Sequence, residues 1–246
     1  MKKFYTEDVT TEKKYRELSR LGKVLGVPIP ECFLEMEIVL PNGKVLHRHK
    51  QRSHSWNRNA YNMVACVMLC LDADDAVYGA GNLNFKNTSN TIRSGAAPMI
   101  NGQGKSGGNL ASSETICYMA PSATHSYGIQ VGTGNSDEDF EGCSLETLIA
   151  NGTGAGQMSY GEMQPHVMAY DAGTLTLSCT LRRYINNNSS GSIFVGEVAL
   201  TSRTVDLTYN SLSNVMLCRD KLNPVLEIPG AGQLKVTYTI ALVHPA

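Results

Sequence analysis

The sequence predicts a mainly β fold, an antiparallel β-sandwich of jelly-roll-like type, from three observations. Its second half alternates apolar and polar residues with the period of two that marks half-buried strands. Clusters of Gly, Asn, Ser and Pro separate these runs at short intervals. Near the N-terminus, Pro-Asn-Gly at residues 41–43 joins two more apolar runs, a strong hairpin signal. An N-terminal helix, this β-hairpin and one amphipathic helix are expected to accompany the sandwich.

The length of 246 residues allows one large β domain with a smaller helical attachment. We expect an N-terminal helical arm over residues 1–30 and a single β-sandwich domain over residues 31–246. Inside that domain we expect an inserted helix at residues 53–71 and a long loop region at residues 72–124.

The N-terminal helix is predicted over residues 6–25. Acidic residues come early and basic residues late, which the helix macrodipole favours. Apolar residues recur three or four positions apart, at Tyr15, Leu18, Leu21 and Leu25. Gly26 and two prolines then end the helix. Such a helix either docks on its own domain or reaches a neighbouring subunit as an arm, and both alternatives stay open.

The hairpin is predicted over residues 33–50, because Asn and Gly both accept positive φ at its turn. His47 and His49 would share one face of its second strand. A His-x-His pair can bind a metal, but the sequence shows no third ligand beside it. A solvated strand face is therefore the favoured interpretation.

The inserted helix at residues 53–71 is expected to begin at Ser53 or Ser55, either of which can act as its N-cap. The single tryptophan, Trp56, would lie in the first turn and pack in the core. One broad apolar face is predicted to contain Trp56, Ala60, Met63, Val64, Val67, Met68 and Leu71.

The region at residues 72–124 contains few apolar residues, and tracts of this kind are usually functional loops or are ordered by a partner. Residues 102–106 (GQGKS) look like the end of a phosphate-binding loop. Met99 stands where that motif requires glycine, and Gly107 and Gly108 follow instead of a helix, so we reject nucleotide binding. Residues 115–119 are a candidate strand.

Residues 127–160 form the stretch around which the later strands are expected to pack. A strand is predicted at Ile129 and Val131, a tight or positive-φ turn at Gly132 and Gly134, and a helix-like segment over residues 145–149. The loop between them carries oxygen donors that calcium prefers, but without the spacing of an EF-hand loop, at Asp137, Glu138, Asp139 and Glu141.

The strands of the second half are predicted at residues 174–185, 192–200, 215–219, 222–228 and 233–243. In the first of them, one face is predicted to carry Leu175, Leu177, Cys179 and Leu181. Residues 186–191 (NNNSSG) should turn that strand back, which makes residues 192–200 its partner strand.

Three arginines, Arg182, Arg183 and Arg219, are expected on neighbouring strands. They can pair with Glu197, Asp220 or the acidic loop. Solvated or intramolecular ion pairs are favoured over contacts between subunits.

Composition excludes several classes of protein. A net charge of -1 with only 17% charged residues argues against a nucleic-acid binder. No apolar run reaches the roughly 18 residues of a membrane span, and the N-terminus lacks the apolar segment of a secretory signal, so synthesis in a cytoplasm is expected. The seven cysteines show no CxxC pair and are expected to be reduced and mostly buried.

No catalytic motif of the G-x-S-x-G or H-E-x-x-H type occurs in the sequence. We therefore predict no enzymatic activity, no cofactor and no catalytic, cofactor-binding or metal-binding residues. A hydrolase on the same scaffold would need clustered carboxylates or a nucleophile in a cleft.

Several segments of the C-terminal half together resemble a recurrent module of tailed-bacteriophage structural proteins. They are V-G-T-G, L-R-R, I-F-V-G-E-V-A-L, M-L-C-R-D and P-G-A-G-Q-L-K-V-T-Y-T-I, within residues 129–134, 175–183, 193–200, 216–220 and 229–240. The resemblance implies a virion subunit of a tail, neck or head that forms homo-oligomers and binds other virion proteins. The alternative is a receptor- or carbohydrate-binding β-sandwich on a capsid or fibre surface.

Overall fold

The computed structural model describes residues 4–5, 9–69, 83–93, 118–206 and 211–244. Within them the chain is mainly β with antiparallel sheets and a β-sandwich-like core, as predicted. The GQGKS segment, most of the predicted loop region, and Cys70, Leu71 and Cys117 lie outside the described residues.

The elements occur in the order β1 (Phe4–Tyr5), α1 (Val9–Leu25), β2 (Ile29–Val39), β3 (Val45–Arg52), α2 (Arg58–Leu69), β4 (Phe85–Lys86), β5 (Ile92–Arg93), β6 (Gly128–Gly132), β7 (Ser159–Asp171), β8 (Thr176–Asn186), β9 (Ile193–Asp206), β10 (Ser211–Ile228) and β11 (Gln233–Val243). A six-stranded sheet has the order β1-β3-β2-β11-β8-β7, and a three-stranded sheet has the order β10-β9-β6. β4 and β5 form a small separate pair.

The core lies between the two larger sheets, because alternate residues of each central strand point inward. Leu34, Tyr238 and Leu181 form one cross-strand row of the six-stranded sheet and are all buried. Val198 and Leu200 of β9 belong to the same hydrophobic cluster from the other sheet. The alternation that predicted the strands thus also defines the core.

The predicted hairpin is confirmed as β2 and β3, with Gly43 at a φ of 77° in its turn. The predicted solvated face of β3 is wrong at His49, which is buried. His49 pairs in register with the core residue Met36 and therefore shares its face. Burial lowers the pKa of His49, whose Nε2 lies 2.7 Å from Gln51 Oε1.

Helix α1 confirms the predicted N-terminal helix, and it docks on the outer side of its own sheet. Glu12 accepts a hydrogen bond from Arg52 Nε at 3.1 Å, and the Arg52 guanidinium lies 4.3 Å from the centre of the Tyr15 ring. Gly22 is buried, and a Cβ there would lie 2.7 Å from Ile29 Cγ1. Leu18, Leu21 and Leu25 stay exposed.

Helix α2 begins at Arg58, so Ser53 and Ser55 are not its N-cap. Asn57 is the cap, since its Oδ1 accepts the Ala60 N–H at 3.2 Å. Trp56 precedes the helix and pairs with Cys218 instead of lying in a first helical turn, although it packs against the core as expected. On the predicted apolar face Ala60 and Met63 are buried, but Val64 is exposed. Neither α1 nor α2, the helices of the described ranges, has the length and apolar character needed to span a membrane.

The predicted pairing of residues 174–185 with residues 192–200 is wrong, since the turn between them crosses from one sheet to the other. β8 pairs with β7 and β11, whereas β9 pairs with β10 and β6. Asn187 holds this crossing in place, because its Nδ2 donates to the carbonyls of Gly191 at 2.8 Å and Ile228 at 2.9 Å. A sequence pattern does not distinguish such a crossing from a hairpin.

Three further expectations need correction. Residues 145–149 do not form the expected helix-like segment, and Leu148 pairs with Gly132 in an isolated bridge. Residues 215–219 and 222–228 belong to one strand, β10, with register shifts on the way. Strand β7 had no sequence prediction, because two bulges and Pro165 interrupt its alternation. Of the candidate strand at residues 115–119, Tyr118 and Met119 are described and are not in a strand.

Candidate functional site

A buried ion pair fixes the acidic loop to the three-stranded sheet. Arg219 Nε of β10 donates to Glu197 Oε2 of β9 at 2.5 Å, and Glu197 is completely buried. The same carboxylate accepts the backbone N–H groups of Gly134 at 3.1 Å, Glu146 at 3.1 Å and Thr147 at 2.9 Å. One buried carboxylate therefore holds both ends of the loop at residues 134–147.

Close approach explains why glycine occupies positions 132 and 134 beside this carboxylate. A Cβ at Gly134 would lie 2.5 Å from Glu197 Oε1, and one at Gly132 would lie 2.6 Å from the Thr147 carbonyl oxygen. Neither glycine has a positive φ. The turn expected at these glycines is not found, since Gly132 is the last residue of β6 and Gly134 lies outside any turn. Packing, and not backbone handedness, requires glycine at both positions.

The acidic loop is neutralised by basic side chains. Asp137 lies 3.0 Å from Lys221 Nζ, and this hydrogen bond lowers the pKa of Asp137. Glu141 lies 3.1 Å from Arg58 and 3.2 Å from Lys86. Across the described part of the chain, no three His, Cys, Asp or Glu side chains are grouped as a metal would require. Ion pairs thus attach the acidic loop to the neighbouring elements.

The three arginines singled out in the sequence have different environments. Arg219 forms the intramolecular pair with Glu197 that was expected. Arg183 is completely buried, and its hydrogen bonds go to backbone carbonyls and not to a carboxylate. Burial lowers the pKa of Arg183 to about 10. Arg182 lies opposite Gln164 and Thr237 on the outer face of the sheet.

A second buried carboxylate, Asp220, links the two sheets. It accepts hydrogen bonds from Tyr238 of β11 at 2.7 Å, from Ser55 at 2.8 Å and from Ser53 at 2.9 Å. Burial raises the pKa of Asp220 to about 6, and these hydrogen bonds only partly oppose that shift. Because Asp220 is completely buried, this network connects the two sheets inside the sandwich and is closed to solvent.

We expect the free energy of unfolding to depend on pH through the ionisation of Asp220. Its folded pKa lies above the value of 3.8 for a free carboxyl, so the folded protein binds the proton more tightly than the unfolded chain. The ionised form opposes folding fully above pH 6, and this cost disappears as the pH falls toward 4. Relative to Asp220→Asn, the wild type should gain about 2 kcal/mol of unfolding free energy between pH 7 and pH 4.

Urea unfolding of both proteins across this pH range measures the difference, in which the titration of the other carboxyls cancels. Asp139→Asn is the matched control, since Asp139 is exposed in the acidic loop. A wild-type minus Asp220→Asn difference that stays constant from pH 7 to pH 4 would contradict the prediction.

The three-stranded sheet leaves one end of the six-stranded sheet uncovered, and an apolar surface lies there. We define this open apolar face by Met168, Tyr170, Leu177 and Leu242. Met168 is 60% exposed and Tyr170 is 65% exposed. Tyr170, Leu177 and Leu242 form one cross-strand row that continues the inward face of the core. Leu177 was correctly predicted to share a face with Leu181, but Leu177 is exposed while Leu181 is buried.

The sequence pattern did not predict this face, because it did not predict strand β7. One signal was present in the sequence. Residues 163–170 contain no Asp, Glu, Lys or Arg and end in Val-Met-Ala-Tyr.

A smaller exposed feature lies beside the acidic loop. The rings of Tyr61 and Phe140 meet edge to face with their centres 5.5 Å apart, and both side chains are exposed. A shallow cleft nearby is lined by Arg58, Lys86 and Glu141 among others. Aromatic rings next to polar groups can bind a sugar or a peptide.

No protein-family model, no curated protein and no solved structure matches this chain.

Proposed function

We propose that the chain is a structural subunit of a tailed-bacteriophage virion, which assembles with copies of itself and with neighbouring subunits at the tail, neck or head. The observation that carries the assembly function is the open apolar face. A monomeric protein rarely exposes contiguous large apolar side chains, because their burial in an interface is favourable.

A second apolar surface supports the same proposal. Leu18, Leu21 and Leu25 of α1 are exposed at helical spacing, although the helix docks through its other side. Such a stripe can pack against a helix or sheet of a neighbour. The proposed assembly therefore uses two surfaces. One is the exposed stripe of α1 on the outer side of the six-stranded sheet, and the other is the open apolar face on its inner side.

The location in a virion is supported by the sequence resemblance alone. The segments that carry it fall on β6, β8, β9, β10 and β11, which are neighbouring strands of the two sheets. They thus belong to a single packed unit, as a module would. Assembly of such a unit by symmetry needs no catalytic chemistry.

Light scattering of the purified full-length protein over a range of concentrations tests the assembly function. We expect a defined oligomer, such as a dimer, trimer, hexamer or ring, because the exposed apolar surfaces would be buried between copies. Peptides of this chain in purified phage particles, at a fixed copy number per particle, would support the virion location. A protein that is monomeric at every concentration would contradict self-assembly.

The second candidate function is a receptor- or carbohydrate-binding module, and the exposed Tyr61 and Phe140 pair favours it. Aromatic rings beside ion-paired polar groups provide both the apolar and the hydrogen-bonding contacts that a sugar needs. The mass measurement separates the candidates, since a monomer favours the binding module.

A further inference from the structure

Strand β7 is the outermost strand of the six-stranded sheet, and within the described residues it pairs only with β8. After a register shift between Gln164 and Val167, residues 167–171 pair regularly with β8. In an antiparallel edge strand, every second residue directs its N–H and C=O groups away from the sheet. This five-residue stretch is therefore a regular edge at which another strand can add.

The two bulges and Pro165 lie before Val167, and from Val167 to Tyr170 the edge lacks the devices that usually prevent such pairing. Natural edge strands carry lysines or inward-pointing charges that block a second chain. No Asp, Glu, Lys or Arg occurs from Met163 to Tyr170. Val167 is 58% exposed on one side of the strand, and Met168 and Tyr170 are exposed on the other. Both faces of the edge thus offer apolar surface to a partner strand.

We propose that β7 pairs with β7 of a second copy of this chain, antiparallel and across a twofold axis at Ala169. This deepens the proposed assembly function and rests on it. The stretch is uncharged between Met163 and Tyr170, so it meets itself without repulsion between like charges. Self-pairing also needs no second kind of surface, which is the property of a twofold interface.

The register centred on Ala169 brings complementary side chains together. Ala169 faces Ala169 of the second copy, and Met168 faces Tyr170 of that copy on the inner side of the sheet. Thioether and aromatic groups make favourable contacts. The apolar row of Tyr170, Leu177 and Leu242 then continues into the second copy. Val167 faces Asp171 of that copy, whose Oδ1 is already engaged by the Gly173 N–H at 2.8 Å.

A charge-swap experiment at Ala169 tests this interface in the full-length protein. Ala169→Lys places two lysines opposite each other across the axis, and Ala169→Asp places two aspartates there. Each variant alone should lose the twofold contact and have half the wild-type mass by light scattering. A mixture of the two variants should regain the wild-type mass, because unlike charges then face each other.

The control is Ala155→Lys, since Ala155 is exposed in a turn outside β7 and should leave the mass unchanged. Melting curves confirm that each variant is folded. A wild-type oligomer that Ala169→Lys leaves intact overturns the β7 pairing but not the assembly function, as does a mixture that fails to restore the mass. A wild type that is monomeric at every concentration overturns both, and another partner must then cover the strand.

Discussion

Replacing Arg183 with methionine is expected to destabilise the fold by about 4 kcal/mol or more, a large part of the stability of a typical domain. The Arg183 guanidinium is completely buried and donates to five backbone carbonyls, those of Pro121, Thr124, Tyr127, Ile129 and Gly161. Methionine fills much of the volume but donates no hydrogen bond. Several buried carbonyls would then lose their partner, at about 1 to 3 kcal/mol each.

The matched control is Arg182→Met, one residue earlier on β8 and on the outer face of the sheet. Urea unfolding should place Arg182→Met within about 1 kcal/mol of the wild type. Arg183→Met should be unfolded or nearly so, and Arg183→Lys should be intermediate, because lysine keeps the charge without the planar fork of donors. An Arg183→Met protein as stable as Arg182→Met would show that the hydrogen bonds from Arg183 to the backbone carbonyls add little to stability.

Replacing Glu197 with glutamine is expected to cost about 3 to 4 kcal/mol of unfolding free energy. The change keeps the shape of the side chain but removes the charge that faces Arg219 and three backbone N–H groups. Arg219 would stay buried without a carboxylate partner. The side-chain NH2 group of the new glutamine, itself a donor, would face the guanidinium or the backbone N–H groups. The loop at residues 134–147 should loosen, since both of its ends are held by Glu197.

Chemical unfolding measures the stability, and hydrogen exchange at Gly134, Glu146 and Thr147 measures the release of the loop. Glu227→Gln, an exposed change on β10, is the control and should alter neither quantity. The double variant Glu197→Gln with Arg219→Met should be less destabilised than the sum of the two single variants, because it removes both charges of the pair. Unchanged exchange at all three amides in Glu197→Gln would contradict the role of Glu197 as the loop anchor.

The two arginines on β8 show why the site was only partly predictable. Arg182 and Arg183 are adjacent, and their pattern requires that they point to opposite faces. The sequence favoured carboxylate partners for both, since oppositely charged residues were plentiful. Segments far apart in the chain decide which face of β8 lies in the core, and they also bring the loop carbonyls together there. Arg183 therefore appeared as one of several ion-pair candidates and not as a buried donor to backbone carbonyls.

The same reasoning applies to Ser53 and Ser55. Locally, serine before an apolar periodic stretch is a good helix N-cap. In the structure both hydroxyls donate to Asp220, and Asn57 caps the helix in their place. Asp220 lies on β10, more than 160 positions away in the sequence. A propensity acts within a few residues, so it could not anticipate that competition.

By itself, the sequence determined the mainly β class, helix α1, the turn of the β2–β3 hairpin, and strands β6, β8 and β11. Each of these depends on alternation, helical spacing or turn residues within a short stretch, and such local preferences are read directly from neighbouring residues. Only the tertiary structure decided the crossing between β8 and β9, the burial of His49, the partners of Arg183 and Asp220, and the exposed edge of β7. Those features depend on which surfaces meet, and the free energy of burying a side chain is set by residues distant in the sequence.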